Sequence, residues 1–406
     1  MGKKVQKIIF WYGIPAYGHV HSNLYLAKCL ANKGFRIVYY SFPKFRKVIE
    51  ANGCNYRSYP VSSEEIVLTD GSQILKLYRL ILQYTKKMLP ILEEEAMQEE
   101  PDKVFFDSLA LWGRVIGQRC KIPSYSFYSI IGIARVGDPA FWAYAKGFYK
   151  GFLQYIKEWP RIWKLRRELE EEWELNDLGM QAVLMNQGDW NLMGYSRRFQ
   201  PGGKRFGERY LFLGPMAVHR QMVEKNNFEY PKGTLIYISL GTIFNRNEQF
   251  LKEIIIQLGE YNREISECGG KQNSEYSVVL VWNKLNSEKE IKFPPNFIVR
   301  QFVNQGEVMQ RASLFITAGG VNSIHEALYY GVPCLMYPQQ GEQYINAQQF
   351  ERLGFGRILK KPSKLKQEII QTMKLCEQWE EQQREEMLQI QIEQLWEKRN
   401  KKRQKR

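Results

Sequence analysis

Aspartate is scarce in this chain, and its scarcity has chemical consequence. Only Asp70, Asp102, Asp107, Asp138, Asp177 and Asp189 occur in 406 residues, and no Asp-x-Asp pair exists. Mg²⁺ and Mn²⁺ take hard carboxylate oxygens held close together, so this scarcity argues against a metal-dependent nucleotide site, with glutamate the remaining source of ligands. Histidine is sparser still: His19, His21, His219 and His325. The six cysteines, at 29, 54, 120, 268, 334 and 376, form no Cys-x-x-Cys pair. That excludes a disulfide scaffold and a zinc knuckle and points to reduced cytoplasmic thiols. No apolar run reaches the roughly 18 residues of a bilayer-spanning helix. The basic N-terminus leads straight into a strand-like run, without the apolar core and small-residue cleavage site of a signal peptide, so none is expected. Neither a Gly-x-Gly-x-x-Gly fingerprint nor a Gly-x-x-x-x-Gly-Lys-Ser/Thr loop occurs, which counts against a dinucleotide oxidoreductase and a P-loop nucleotidase.

What is present is an ordinary globular composition, 44% apolar and 25% charged. The length suits two domains, at about 150 residues each. Basic residues dominate, 58 Lys+Arg against 43 Asp+Glu, for a net charge of +15. Seven of the bases fall in residues 398–406, so the remainder holds +8. The surplus fits an anionic partner (nucleotide phosphate, nucleic acid or membrane surface) or a merely solvated tail. No RRM, KH or helix-turn-helix signature supports nucleic acid.

Strands and helices alternate. Residues 7–12 form an apolar run followed by turn signals at Gly13, Pro15 and Gly18. Val20, Leu24, Ala27 and Ala31 then recur at helical spacing, with Gly34 where a C-terminal cap belongs. Residues 36–40 and 103–106 read as further strands, so a parallel sheet built from right-handed crossovers is expected. The second half restarts the pattern, with strands at 235–240, 278–282, 297–299, 314–317 and 334–337. A boundary is expected in the Gly-, Pro- and charge-rich stretch 201–232. The expected layout is an α/β chain with two Rossmann-like domains and a cleft: 1–214, a linker at 215–232, 233–365, and a helical segment with a basic tail at 366–406. Residues 141–165 are aromatic and basic; they read as a core-packing helix pair, an apolar acceptor pocket or a membrane-surface helix.

Two places combine residue types that do chemistry. His19 lies between the first strand and its helix, where open α/β sheets bind ligands. A neutral imidazole there can serve as a general base, and Asp107, ending another strand of the same half, can accept its other N–H and fix the tautomer. The alternative is a helix-start residue and a loop turn. The second place is Thr317-Ala318-Gly319-Gly320-Val321-Asn322-Ser323-Ile324-His325-Glu326, a strand entering a helix through two glycines. Glycines admit a phosphate to backbone N–H groups, and a helix N-terminus favours negative charge. Ser323 and Glu326 have capping-box spacing, so a well-capped turn without a ligand is the other reading. Ser239-Leu240-Gly241-Thr242 follows a strand in the same way.

From these residues the chain resembles the macrolide-type UDP-glycosyltransferases. The likeness is carried by Phe302-Val303-Asn304-Gln305, by Ala318 to Ser323 with Glu326, and by Gly331-Val332-Pro333, Pro338-Gln339 and Glu342-Gln343. Residues 14–30, 106–107, 214–215 and 239–242 extend it; 70–90 and 141–188 do not align. The resemblance implies the GT-B fold, two facing Rossmann-like domains, with acceptor on the first and nucleotide sugar on the second. It implies an inverting, metal-independent hexosyl transfer from a UDP-sugar, with no cofactor. By the same resemblance His19 is the base and Asp107 its partner, and Phe302 stacks on the uracil. Gln305 lies near the nucleoside and Glu326 on the ribose. Thr242, Asn322 and Ser323 match diphosphate contacts, Gly241, Gly319 and Gly320 belong to the same nucleotide-sugar site, and Glu342 and Gln343 bind the sugar. Ala318 stands where the family usually has His, Asn304 where it usually has Pro, and His21-Ser22 where it usually has Asn-Pro. The Ala318 departure leaves open weaker donor binding, compensation by another base, or a different donor. The expected partners are a nucleotide sugar and a small apolar hydroxyl acceptor, in the cytoplasm. A lipid acceptor at the inner membrane surface and a nucleotide-sugar-binding protein without catalysis are the alternatives.

Overall fold

The computed structural model describes residues 6–61, 74–132, 152–214, 216, 226–230, 233–241, 248–259, 276–282, 292–339, 341–375 and 379. Thr242, residues 141–151 and the basic tail therefore lie outside the described residues. The chain divides into two compact units, one built on Met1–Arg220 and one on Gln221–Leu388.

The first unit holds a seven-stranded sheet with order β3-β2-β1-β4-β5-β6-β7. Its strands are β1 (Ile8–Tyr12), β2 (Arg36–Ser41), β3 (Asn55–Ser58), β4 (Lys103–Asp107), β5 (Ser124–Tyr128), β6 (Trp190–Met193) and β7 (Tyr210–Phe212). Every pairing in it is parallel. Because side chains alternate along a strand, an aromatic run furnishes both faces at once. Trp11 sits in register with Tyr39 and Phe105, and Phe105 with Tyr125. Their rings stack across four strands at centroid separations of 5.8, 4.9 and 4.5 Å. Phe10, Tyr12, Tyr40 and Phe106 fill the opposite face, under the helix Ile74–Glu99.

The second unit repeats the plan with six strands in the order β10-β9-β8-β11-β12-β13. These are β8 (Thr234–Ser239), β9 (Tyr276–Val281), β10 (Phe297–Arg300), β11 (Leu314–Thr317), β12 (Cys334–Met336) and β13 (Gly356–Ile358). Its pairings are parallel as well. In both sheets the order runs outward from the first strand and then jumps to its other side. Chain connections leave the sheet in opposite directions there, which opens a crevice at the carboxyl ends of the strands. The crevice falls at β1 and β4 in the first unit and at β8 and β11 in the second.

The aromatic, basic stretch is helical where it is described. The helix Phe152–Trp173 packs on Ile74–Glu99 through Ile162 and Leu169, and Arg79 pairs with Glu158 at 2.8 Å. Trp163 faces outward, beside Arg167. At the C-terminus the described helix is Leu365–Met373, capping the second core through Leu365 and Ile369. No helix among the described residues is long and apolar enough to cross a membrane.

Candidate active site

The loop after β1 fixes the first half of the site. A Cβ on Gly13 would lie 2.8 Å from the Tyr39 ring, so only glycine passes there. The Gly13 N–H donates to Tyr40 O at 3.0 Å, and the Tyr59 hydroxyl donates to Gly13 O at 2.9 Å. The loop then enters the helix Tyr17–Asn32, whose third residue is His19. Asp107 is the last residue of β4, beside β1 in the sheet. The topology thus delivers both side chains to the same crevice.

Their contact is direct. His19 Nδ1 lies 2.8 Å from Asp107 Oδ2. Asp107 is fully buried, while the His19 side chain is 15% exposed. The other Asp107 oxygen accepts the Leu109 N–H at 3.0 Å, and Asn23 Nδ2 donates to Oδ2 at 3.3 Å. Ser129 Oγ lies 2.8 Å from the same His19 nitrogen. A carboxylate bonded to Nδ1–H holds the imidazole with its lone pair on Nε2, the arrangement of a general base. Asp107 makes the loop turn and orients the histidine together; the two roles are not alternatives.

Two members of this cluster were not read from the sequence. Asn23 is four residues from His19 on one helix, so helical spacing could have revealed it. Ser129 follows β5, and the run Ser124–Tyr128 lacks the aliphatic residues of the other inner strands although it is buried on both faces.

In the second unit, Gly241 follows β8 at φ +84°, and Gly319 follows β11 at φ +85°. Gly320 is the N-cap of the helix Val321–Tyr329, in extended conformation and without a side-chain cap. This corrects the capping-box reading. The glycine carries the chain straight into the helix, so Ser323 falls in the first turn rather than before it, and Glu326 bonds elsewhere. Asn322 and Ser323 are half-buried in that turn. Asn346 donates to Gly319 O at 3.0 Å and holds the turn from the neighbouring helix, Gly341–Arg352. Ala318 is buried in the apolar core.

Glu326 joins a polar chain along the carboxyl edge of this sheet. Gln305 Nε2 donates to Glu326 Oε2 at 2.6 Å, and the Tyr237 hydroxyl donates to Gln305 Oε1 at 3.2 Å. Phe302, just past β10, has 64% of its surface exposed, unusual for a large apolar ring. Gln343 is buried and accepts the Gln339 N–H at 2.8 Å, while Glu342 is half-buried in the same helix start. The sequence-read residues thus form two sets, His19 with Asp107 in one unit and Gly241, Phe302, Gln305, Gly319, Gly320, Asn322, Ser323, Glu326, Glu342 and Gln343 in the other. His325 is buried, with Nδ1 2.8 Å from Val321 O; burial lowers its pKa to about 4 and keeps it neutral.

Comparison with known proteins agrees with this architecture. Residues 243–402 match the glycosyltransferase family 28 C-terminal domain. A Bacillus subtilis (strain 168) protein described as an uncharacterized UDP-glucosyltransferase is 28% identical over 358 residues, covering 86% of this chain and 84% of its own. A Bacillus licheniformis NDP-glycosyltransferase is 27% identical, covering 87% and 85%. The demethyllactenocin mycarosyltransferase of Streptomyces fradiae is 26% identical, covering 86% and 74%. Among solved structures, a kitacinnamycin glycosyltransferase superposes with a TM-score of 0.75 at 22% identity, over 97% of this chain and 98% of that one. A calicheamicin glycosyltransferase gives 0.69 at 18%, over 94% of each.

Proposed function

We propose that this chain, which shares the GT-B fold and is similar to the macrolide-type UDP-sugar enzymes, transfers a hexose from a UDP-sugar to a hydroxyl of a small apolar acceptor, with inversion and with His19 as general base. The carrying observation is the 2.8 Å bond from His19 Nδ1 to the buried Asp107 carboxylate.

In this reading the acceptor hydroxyl gives its proton to His19 Nε2 as its oxygen attacks the anomeric carbon. The imidazolium that forms is stabilised by Asp107. General-base assistance of this kind contributes about 10²–10⁴-fold. As the new C–O bond forms, the bond to the departing diphosphate breaks on the opposite face, which inverts the centre. Negative charge grows on the UDP. The amide-lined turn at Gly319 and Gly320 and the first turn of Val321–Tyr329 favour that charge through fixed dipoles, without reorganisation. The exposed Phe302 ring offers a stacking face for the base, and Glu326, oriented by Gln305, offers a carboxylate to ribose hydroxyls. No step calls for a metal, in keeping with the lack of an Asp-x-Asp pair.

The test is transfer from radiolabelled UDP-glucose to a panel of phenols and macrolide aglycones, with and without a chelator, and proton NMR of the product. The reading expects chelator-insensitive formation of a β-linked glucoside. Retention of the α configuration, or loss of activity with the chelator, refutes the mechanism. Absence of both transfer and UDP binding refutes the function.

A further inference from the structure

Asn304 lies between the two nucleobase-side residues, Phe302 and Gln305. Its side-chain oxygen caps the helix Gln305–Met309 by accepting the Glu307 N–H, and its backbone sits at φ −69°, ψ 98°. Its main-chain groups are held by one carboxamide. The Asn304 N–H donates to Asn226 Oδ1 at 2.7 Å, and Asn226 Nδ2 donates to Asn304 O at 3.1 Å. This pairing imitates a strand ladder, with a side chain in place of the second strand.

Asn226 is itself fastened. Its N–H donates to Glu307 Oε2 at 3.0 Å, and its Nδ2 donates to the Tyr230 hydroxyl at 2.6 Å. The Tyr230 ring lies 4.2 Å from the Arg311 guanidinium, and the Phe228 ring 5.3 Å from that of Arg300. Residues 226–230 therefore grip both the end of β10 and the helix that follows, all within the second unit. Such a grip is out of proportion to a connecting segment. An exposed ring such as Phe302 recognises a base only if its backbone is held before the ligand arrives, because ordering it afterwards consumes binding energy.

We propose that Asn226 is a positioning residue for nucleobase recognition: its carboxamide clamps the main chain of Asn304 and so preorganises Phe302 and Gln305. This rests on the donor reading above. A φ of −69° is also the value a proline ring imposes. A proline at 304 would supply the same stiffness covalently, without the N–H that the clamp uses.

The experiment uses the full-length chain and three variants, Asn226→Ala, Asn304→Pro and the double substitution. Amide hydrogen exchange over residues 300–309 is measured without ligand, and binding of UDP and of ADP by calorimetry. Asn226→Ala is expected to exchange faster in that segment and to bind UDP about tenfold more weakly, equivalent to about 1.4 kcal/mol. Its preference for UDP over ADP should shrink. The double variant is expected to recover part of the UDP affinity lost by Asn226→Ala, because the ring fixes φ. Wild-type exchange and affinity in Asn226→Ala overturn the inference. So does an equal loss for UDP and ADP with a lowered melting temperature, the mark of a merely structural role, and so does a double variant no better than Asn226→Ala. A wild-type protein that binds no uridine nucleotide overturns the donor reading itself; exchange then still decides whether Asn226 holds the loop.

Discussion

Replacing Asp107 by Asn keeps the shape of the side chain and changes one oxygen to an NH₂ group. In the native arrangement Oδ1 accepts from Leu109 N, and Oδ2 faces His19 Nδ1 and Asn23 Nδ2. An amide has a single acceptor atom. If its oxygen stays on Leu109, the new NH₂ confronts two donors. His19 can then keep its bond to residue 107 only by turning Nδ1 into an acceptor, or give it up and leave Ser129 Oγ as the one remaining acceptor of Nδ1–H. The former moves the proton to Nε2, the atom proposed to receive the substrate proton. Loss of a charge-assisted hydrogen bond is worth about 1.5–3 kcal/mol, or roughly 10–150-fold in rate. The wrong tautomer extends the loss toward the ~10⁴-fold ceiling of general-base assistance. The expected result is a fall in kcat of about 10²–10³-fold with unchanged affinity for UDP, whose proposed site lies in the other unit. One mismatched buried donor should also lower stability by about 1–3 kcal/mol, read by urea denaturation. Steady-state kinetics of Asp107→Asn, His19→Ala and the double variant decide the matter. Acting as one unit, the pair should give a double variant no slower than His19→Ala. A kcat within about threefold of wild type in Asp107→Asn, or losses that simply add, refutes the assignment.

Phe302→Ala removes the exposed ring, and base stacking on an aromatic is worth about 1–3 kcal/mol, so UDP affinity should drop about 5–150-fold by calorimetry while Phe302→Trp retains or improves it. Gly319→Ala places a Cβ at φ +85° and 3.3 Å from Gln343 O; strain of about 1–2 kcal/mol is expected in denaturation, together with weaker UDP binding. His325 is held neutral in the folded state, with its pKa at about 4 against 6.5 for the ordinary side chain. The unfolded chain therefore binds a proton that the native state refuses, and this contribution to stability is whole above pH 6.5 and drains away as pH falls toward 4, by about 3 kcal/mol. His325→Gln should lose less stability than wild type over that window; parallel pH profiles would contradict the assignment.

The sequence by itself determined the parallel α/β character, because short apolar runs punctuated by glycine and separated by helical periodicity admit little else. β1, β2, β4, β8 and β11 were legible for that reason, and so was the glycine turn entering the helix at Val321. β3 and β5 were not. Asn55–Ser58 is largely polar, and Ser124–Tyr128 alternates serine with aromatic residues yet is buried on both faces, without the aliphatic residues that mark the other inner strands. His19 and Asp107 stood out as a rare histidine and a rare aspartate at strand ends, yet 88 residues separate them. Only the strand order, which sets β1 beside β4, closes that separation to one hydrogen bond. Ser129 joins them through the same ordering, and Asn226 reaches Asn304 across 78 residues in the same manner. Local pattern fixes which elements form, because it depends on neighbours along the chain. Which side chains meet depends on how the elements are laid side by side, and that is decided by packing of the whole sheet.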